Sequence, residues 1–148
     1  MKRTYTLLLG WLLLAGAGCG TWRGGPSVTS ERTEVAVLAK ATRSWDRALL
    51  PAYPEGQPEV TILRITVPPG VTLPMHRHPV INAGVMLRGG LTVTTEDGQV
   101  LRLREGEAIV EVVDRWHFGQ NEGPGLAEII VFYAGIEDQP VTENKPAE

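Results

Sequence analysis

Cysteine, histidine and basic charge are all scarce in this sequence. Cys19 is the single cysteine among 148 residues. That excludes an intrachain disulfide framework and any zinc finger built on cysteine pairs. Fourteen Lys and Arg stand against seventeen Asp and Glu, so the basic surplus that draws a protein to nucleic acid is missing. No apolar run approaches the roughly 20 residues of a membrane-spanning helix. No internal repeat and no long amphipathic helical pattern is visible. Against these absences, 43% of the residues are hydrophobic and 21% are charged. This is the composition of a folded protein of one-domain length, neither disordered nor fibrous.

The first residues read as an export signal rather than as fold. Lys2 and Arg3 precede the apolar stretch Leu7 to Leu14, and Ala15-Gly16-Ala17-Gly18 follows. This is the charged, apolar, small-residue order of a secretory leader. Ala15-Gly16-Ala17 matches ordinary signal cleavage. Gly18-Cys19 matches the end of a bacterial lipobox, in which Cys19 becomes a lipidated mature N-terminus. Gly16 stands where a lipobox has leucine. The lipid-anchored form is the preferred reading, because nothing else calls for a cysteine there and an unpaired thiol is a liability in an oxidising compartment. The chain is expected to act in the periplasm or on the bacterial envelope. Its expected divisions are a signal peptide over residues 1–18, a flexible linker over 19–33, a domain over 34–135 and a loose polar tail over 136–148.

From Glu34 onward, turn residues cut the chain into strand-length pieces. Val60 to Val67 alternates and is rich in β-branched residues, the pattern of a strand. Pro68-Pro69-Gly70 is a turn. Further strands are expected at Val71 to His78, Ala83 to Arg88, Leu91 to Thr95, Val100 to Arg104, Ala108 to Val113, His117 to Gln120 and Leu126 to Tyr133. Asp97-Gly98 marks a hairpin between Leu91 to Thr95 and Val100 to Arg104. Glu34 to Thr42 is compatible with a strand or a short helix. Eight or nine short strands punctuated by Gly and Pro predict an all-β sandwich or barrel.

All three histidines fall in a pattern that suits a metal. His76 and His78 are two apart on an expected strand, so their side chains share a face. His117 opens a later strand that a closed β architecture can bring alongside. Three imidazoles suit Zn, Fe, Ni, Cu or Mn to differing degrees.

These residues resemble the two motifs of the cupin superfamily. Gly70-(five residues)-His76-Arg77-His78-(three residues)-Asn82-(six residues)-Gly89 is similar to the first. Gly106-(five residues)-Val112-Val113-Asp114-(two residues)-His117-(three residues)-Asn121 is similar to the second. The resemblance implies a single-domain double-stranded β-helix, a jelly-roll barrel, with one divalent transition metal ion (Fe, Mn, Zn or Ni) held inside by His76, His78 and His117. It looks most like the short exported cupins of bacteria. Small cupins often pair through N-terminal strands, which implies a homodimer with Glu34 to Thr42 as the edge strand.

The sequence departs from the family pattern at three positions. Val112 and Asp114 replace a Pro and a Gly that shape a turn, and Asp tolerates turn geometry. Asn82 stands where the family has a glutamate ligand. Its amide oxygen can be a weak fourth donor or can bind the ion through water, but it is no carboxylate. With three neutral imidazoles and an amide, a divalent ion keeps its full charge. Such an ion acidifies bound water further and favours an anionic ligand. Glu111 shares parity with Ile109 and Val113. It is expected to face solvent, the competing reading being a pocket acid with a raised pKa. Arg64 is expected to face solvent, with contact to an anionic substrate as the alternative. Met75 and Trp116 are expected to pack in the core, and Trp45 to pack there or cover the barrel mouth. Tyr133 is within reach of the pocket. The functional expectation is a metal-binding domain acting on a small polar or anionic molecule, as a mononuclear dioxygenase-type enzyme, isomerase or hydrolase. The alternatives are a non-catalytic small-molecule or metal sensor and a structural lipoprotein domain.

Overall fold

Nine strands and no helix make up the regular structure of residues 32–146, which the computed structural model describes. The expected signal peptide and Cys19 lie outside the described residues. The strands are β1 (Pro58–Val67), β2 (His76–Arg77), β3 (Ile81–Arg88), β4 (Gly90–Thr95), β5 (Val100–Arg104), β6 (Ala108–Val110), β7 (His117–Gln120), β8 (Ala127–Ile136) and β9 (Glu143–Asn144). They form one sheet in the order β1-β8-β3-β6 and a second in the order β5-β4-β7-β2-β9. All pairings are antiparallel. The two sheets close over a common interior as a jelly roll.

Strand periodicity decides what fills that interior. The long pair β1–β8 runs in unbroken register from Pro58 opposite Ile136 to Val67 opposite Ala127. Side chains alternate across a strand, so Ala127, Ile129, Val131 and Tyr133 point inward on β8. Leu91 and Val93 on β4 and Met86 on β3 meet them in one buried cluster. The opposite face of the first sheet leaves Val60, Ile62, Ile130 and Phe132 exposed.

Turn chemistry holds the register. The β4–β5 hairpin forms at Asp97-Gly98 as expected, with Gly98 at φ 86° and its N–H on the carbonyl of Thr95 at 2.8 Å. Gly89 adopts φ 68°, and a Cβ there would sit 2.7 Å from the Leu126 carbonyl oxygen. Position 89 therefore excludes every side chain. Asp114 adopts φ 54°, in the left-handed region that Asp and Asn tolerate better than other non-glycine residues. Its N–H donates to the His78 carbonyl at 2.9 Å. The turn of the second motif thus forms without the family's glycine.

Four expectations change. Glu34 to Thr42 is neither strand nor helix in the described chain. Val35 and Val37 are among its exposed residues. Val71 to His78 contributes only the two residues of β2 and an isolated bridge at Thr72. Pro74 interrupts it, having no N–H for a ladder. The strand expected to run to Val113 stops at Val110, and beyond that point both Glu111 and Val112 are buried. The tail after Gly135 is not loose. It extends β8 to Ile136 and returns as β9, which pairs with β2 through His76–Asn144 and Arg77–Glu143. Arg77 also forms an ion pair with Glu143 at 2.7 Å.

Candidate metal centre

The three histidines converge from β2, the residues just after it, and β7. His76 lies directly opposite His117 in the β2–β7 pairing. His78 follows two residues later on the same face. The ring centroids are 4.5 Å apart for His76–His117 and 5.0 Å apart for each of the other two pairs. One donor nitrogen from each ring lies within 4.8 Å of those of the other two. Donors about 2.0–2.1 Å from a shared ion lie at most about 4.2 Å apart, so a small contraction suffices to close the three rings on one ion.

Backbone carbonyls set the orientation of each ring. His76 Nδ1 meets the Pro74 carbonyl at 2.8 Å, His78 Nδ1 meets that of Val141 at 2.9 Å, and His117 Nδ1 meets that of Arg115 at 2.8 Å. A carbonyl only accepts, so each Nδ1 carries the proton and each Nε2 lone pair is left for another partner. Metal-binding imidazoles are oriented by hydrogen bonds of this kind. His117 Nε2 is buried and has no hydrogen-bond partner, and the same is true of Asn82 Oδ1 and Glu111 Oε2. Three orphaned polar atoms around one space are costly unless something occupies it. Burial lowers the pKa of His78 to about 3 and that of His117 to about 4, and the neighbouring imidazoles reinforce the shift. Both are therefore neutral near pH 7, as a ligand must be. On each of these counts the residues fit a divalent ion.

The space they face is a cavity of about 210 Å³ between the sheets. Leu63, Ile65, Leu91, Val93, Ile129 and Val131 form its apolar walls. Asn82, Glu111, Tyr133 and Thr142 supply its polar edge, and no Lys or Arg lines it. Arg64 points away from the cavity and forms an ion pair with Glu128 on the outer face, so it meets no anionic substrate. Trp45 packs against the core cluster. Met75 and Trp116 are only half buried. Trp116 lies under the Arg77 guanidinium at 5.0 Å rather than in the core.

Glu111 is the main correction to the site. It is 8% exposed, not solvent-facing, and its Oε2 lies 3.9 Å from His117 Nε2. Burial pushes its carboxyl up to about 7, weakly opposed by the backbone N–H of Val112 and the indole of Trp45. That indole nitrogen points towards the carboxylate without reaching hydrogen-bond geometry. Parity with Ile109 was the signal that Glu111 turns inward. Tyr133 also reaches the cavity, 5.4 Å from His78 between ring centroids. Burial, followed by the nearby Glu111 charge, raises its hydroxyl to about 12. The tail residues Val141 and Thr142, which hold His78, left no trace in the sequence. A backbone carbonyl has no side-chain signature.

This contact gives a direct expectation. Deleting residues 140–148 removes β9 and the Val141 carbonyl, so His78 loses the bond that orients it. Metal affinity measured by chelator competition is expected to fall about 10- to 100-fold, the usual effect of losing such support. Unchanged affinity would show that the tail does not position His78.

The family model for the cupin domain matches residues 63–133, which contain both histidine motifs. The chain belongs to the cupin superfamily. Solved structures agree on the fold of this cupin. A Klebsiella pneumoniae protein with a double-stranded β-helix domain shares 16% identity at a TM-score of 0.51, over 64% of this chain and 89% of that one. The polyketide cyclase RemF from Streptomyces resistomycificus shares 17% at 0.52, over 69% and 70%. The DMSP lyase DddQ from Ruegeria pomeroyi shares 17% at 0.51, over 58% of this chain and 43% of that one. No curated protein matches the sequence of this cupin.

Proposed function

We propose that this cupin holds one divalent transition metal ion through His76, His78 and His117 and uses it outside the cytoplasm on a small molecule. The observation that carries the reading is the convergence of one donor nitrogen from each of three imidazoles, each ring fixed by a carbonyl on its Nδ1. A bound ion would supply Lewis acidity and open coordination positions. The chain's own groups do the rest. The apolar walls exclude water. The Tyr133 hydroxyl keeps its proton at neutral pH and donates a hydrogen bond. Asn82 offers an amide oxygen with no other partner.

Cavity chemistry narrows the ligand. A strongly polar polyanion finds no Lys or Arg in the cavity. The better fit is a small molecule with one metal-seeking oxygen group and an apolar body. Acetate, butyrate, benzoate and oxalate make a simple probe series. Butyrate and benzoate are expected to raise the Tm of the metal-loaded protein more than acetate or oxalate does, and to leave the metal-free protein unmoved. Equal effects with and without metal, or a preference for oxalate, would contradict the reading. Product formation separates an enzyme from a sensor. Iron or manganese in the site would call for oxygen-consumption assays, and zinc or nickel for hydrolytic or isomerase assays.

Export is part of the same proposal and rests on the order of Lys2, Arg3, the Leu7–Leu14 stretch and Cys19. Mass spectrometry of the mature protein is expected to find a lipid on Cys19. An N-terminus still beginning at Met1 would contradict export. The exposed Val35, Val37, Ile62 and Phe132 support a homodimer that covers them. A monomer by light scattering at micromolar concentration would count against it.

A further inference from the structure

The Asn82 position leaves the centre without its expected carboxylate, and the structure places another acid beside it. The Glu111 N–H donates to the Asn82 carbonyl at 3.1 Å, so the two residues are fastened side by side at the junction of β3 and β6. Both are buried, both line the cavity, and each presents an oxygen with no hydrogen-bond partner. The Glu111 Oε2–His117 Nε2 separation of 3.9 Å lies within the span of two donors on one ion.

We infer that Glu111, the residue that follows β6, supplies the anionic oxygen of the metal centre, taking over the role that Asn82 cannot fill. The inference rests on the metal reading above and deepens it. The carboxylate is outside the 4.8 Å group formed by the three imidazoles. It reaches the ion by rotating its side chain inward, and Oε2 has no hydrogen bond to break in doing so. Two consequences follow for the site. One negative charge cancels part of the charge of a divalent ion, so the centre is a milder Lewis acid than three imidazoles and an amide would make. A carboxylate oxygen also widens the choice of metal towards harder ions such as Mn²⁺. Asn82 is then free to hold the ligand rather than the ion.

The test is metal affinity, with no dependence on turnover. Wild type, Glu111→Gln and His76→Ala are compared for Zn²⁺ and Mn²⁺ by chelator competition, with the Tm of each metal-free protein as the measure of folding. Glu111→Gln keeps shape and removes charge. It is expected to fold with a metal-free Tm at or above wild type and to bind both ions at least tenfold more weakly, on the scale of losing a group that supports a metal site. Affinity within threefold of wild type, with His76→Ala still deficient, overturns the role of Glu111 and leaves the histidine site standing. No binding by wild type overturns both. Should Glu111→Gln fail to fold, the double variant Asn82→Glu/Glu111→Gln, which returns the carboxylate to β3, is measured instead. Wild-type affinity there supports the exchange of position, and a folded double variant that stays tenfold weaker overturns it.

Discussion

Alanine at His117 is expected to weaken metal binding by at least about 100-fold, more than the loss of any group that only supports a ligand. The expectation follows from position. His117 is 1% exposed and lies across the ladder from His76. Its Nδ1 is committed to the Arg115 carbonyl and its Nε2 is left without a partner. The rest of the wall is largely Leu, Ile and Val, and no fourth imidazole lines the cavity to take its place. His78→Ala is expected to behave in the same way. Chelator competition reads the affinity, and the Tm of the metal-free variants reports whether they fold. Near-wild-type affinity in a folded His117→Ala protein would contradict the geometry.

The second large effect is on the pH dependence of the metal-free protein. His78 and His117 fall from 6.5 to about 3 and about 4 on folding. As the pH drops below 6.5, the unfolded chain takes up two protons that the folded chain refuses until far lower pH. The unfolded state then binds more protons, so stability falls on acidification. Glu111 acts in the opposite direction. Its carboxyl rises from 4.5 to about 7, so between those values the folded state holds a proton that the unfolded chain has released. That adds stability as the pH falls towards 4.5. One such proton opposes two imidazole protons, so the net slope still favours higher pH until the unfolded imidazoles have lost their protons, at about pH 7, where the Glu111 contribution is also nearly spent. Urea unfolding of the metal-free protein is expected to find a maximum near pH 7 and a loss on the order of 3 kcal/mol by pH 4. A flat profile, or stability increasing towards pH 4, would contradict the burial of neutral imidazoles.

Much of the fold could be read from residue pattern. Alternation over Val60 to Val67 marks β1, and Asp97-Gly98 locates the β4–β5 hairpin, because these signals are local. The histidine pair at i and i+2 was legible for the same reason. Other features were legible only in part. Glu111 has the parity of an inward residue, but a charged side chain in an apolar run ordinarily faces water. Only the end of β6 at Val110 and the turn that follows reveal that the carboxylate enters the cavity. The tail was unreadable, since Val141 acts through its backbone and β9 is two residues long. Val71 to His78 reads as one strand between turns, but Pro74 interrupts its ladder and only His76 and Arg77 form β2.

The three-histidine centre requires one ion in one place. Elemental analysis of the purified protein, as isolated and after reconstitution with Fe, Mn, Zn and Ni in turn, tests this most directly. The expected result is about one ion per chain. Absence of stoichiometric metal under every condition would contradict the centre, and the three histidines would then be a polar lining for a ligand that needs no metal.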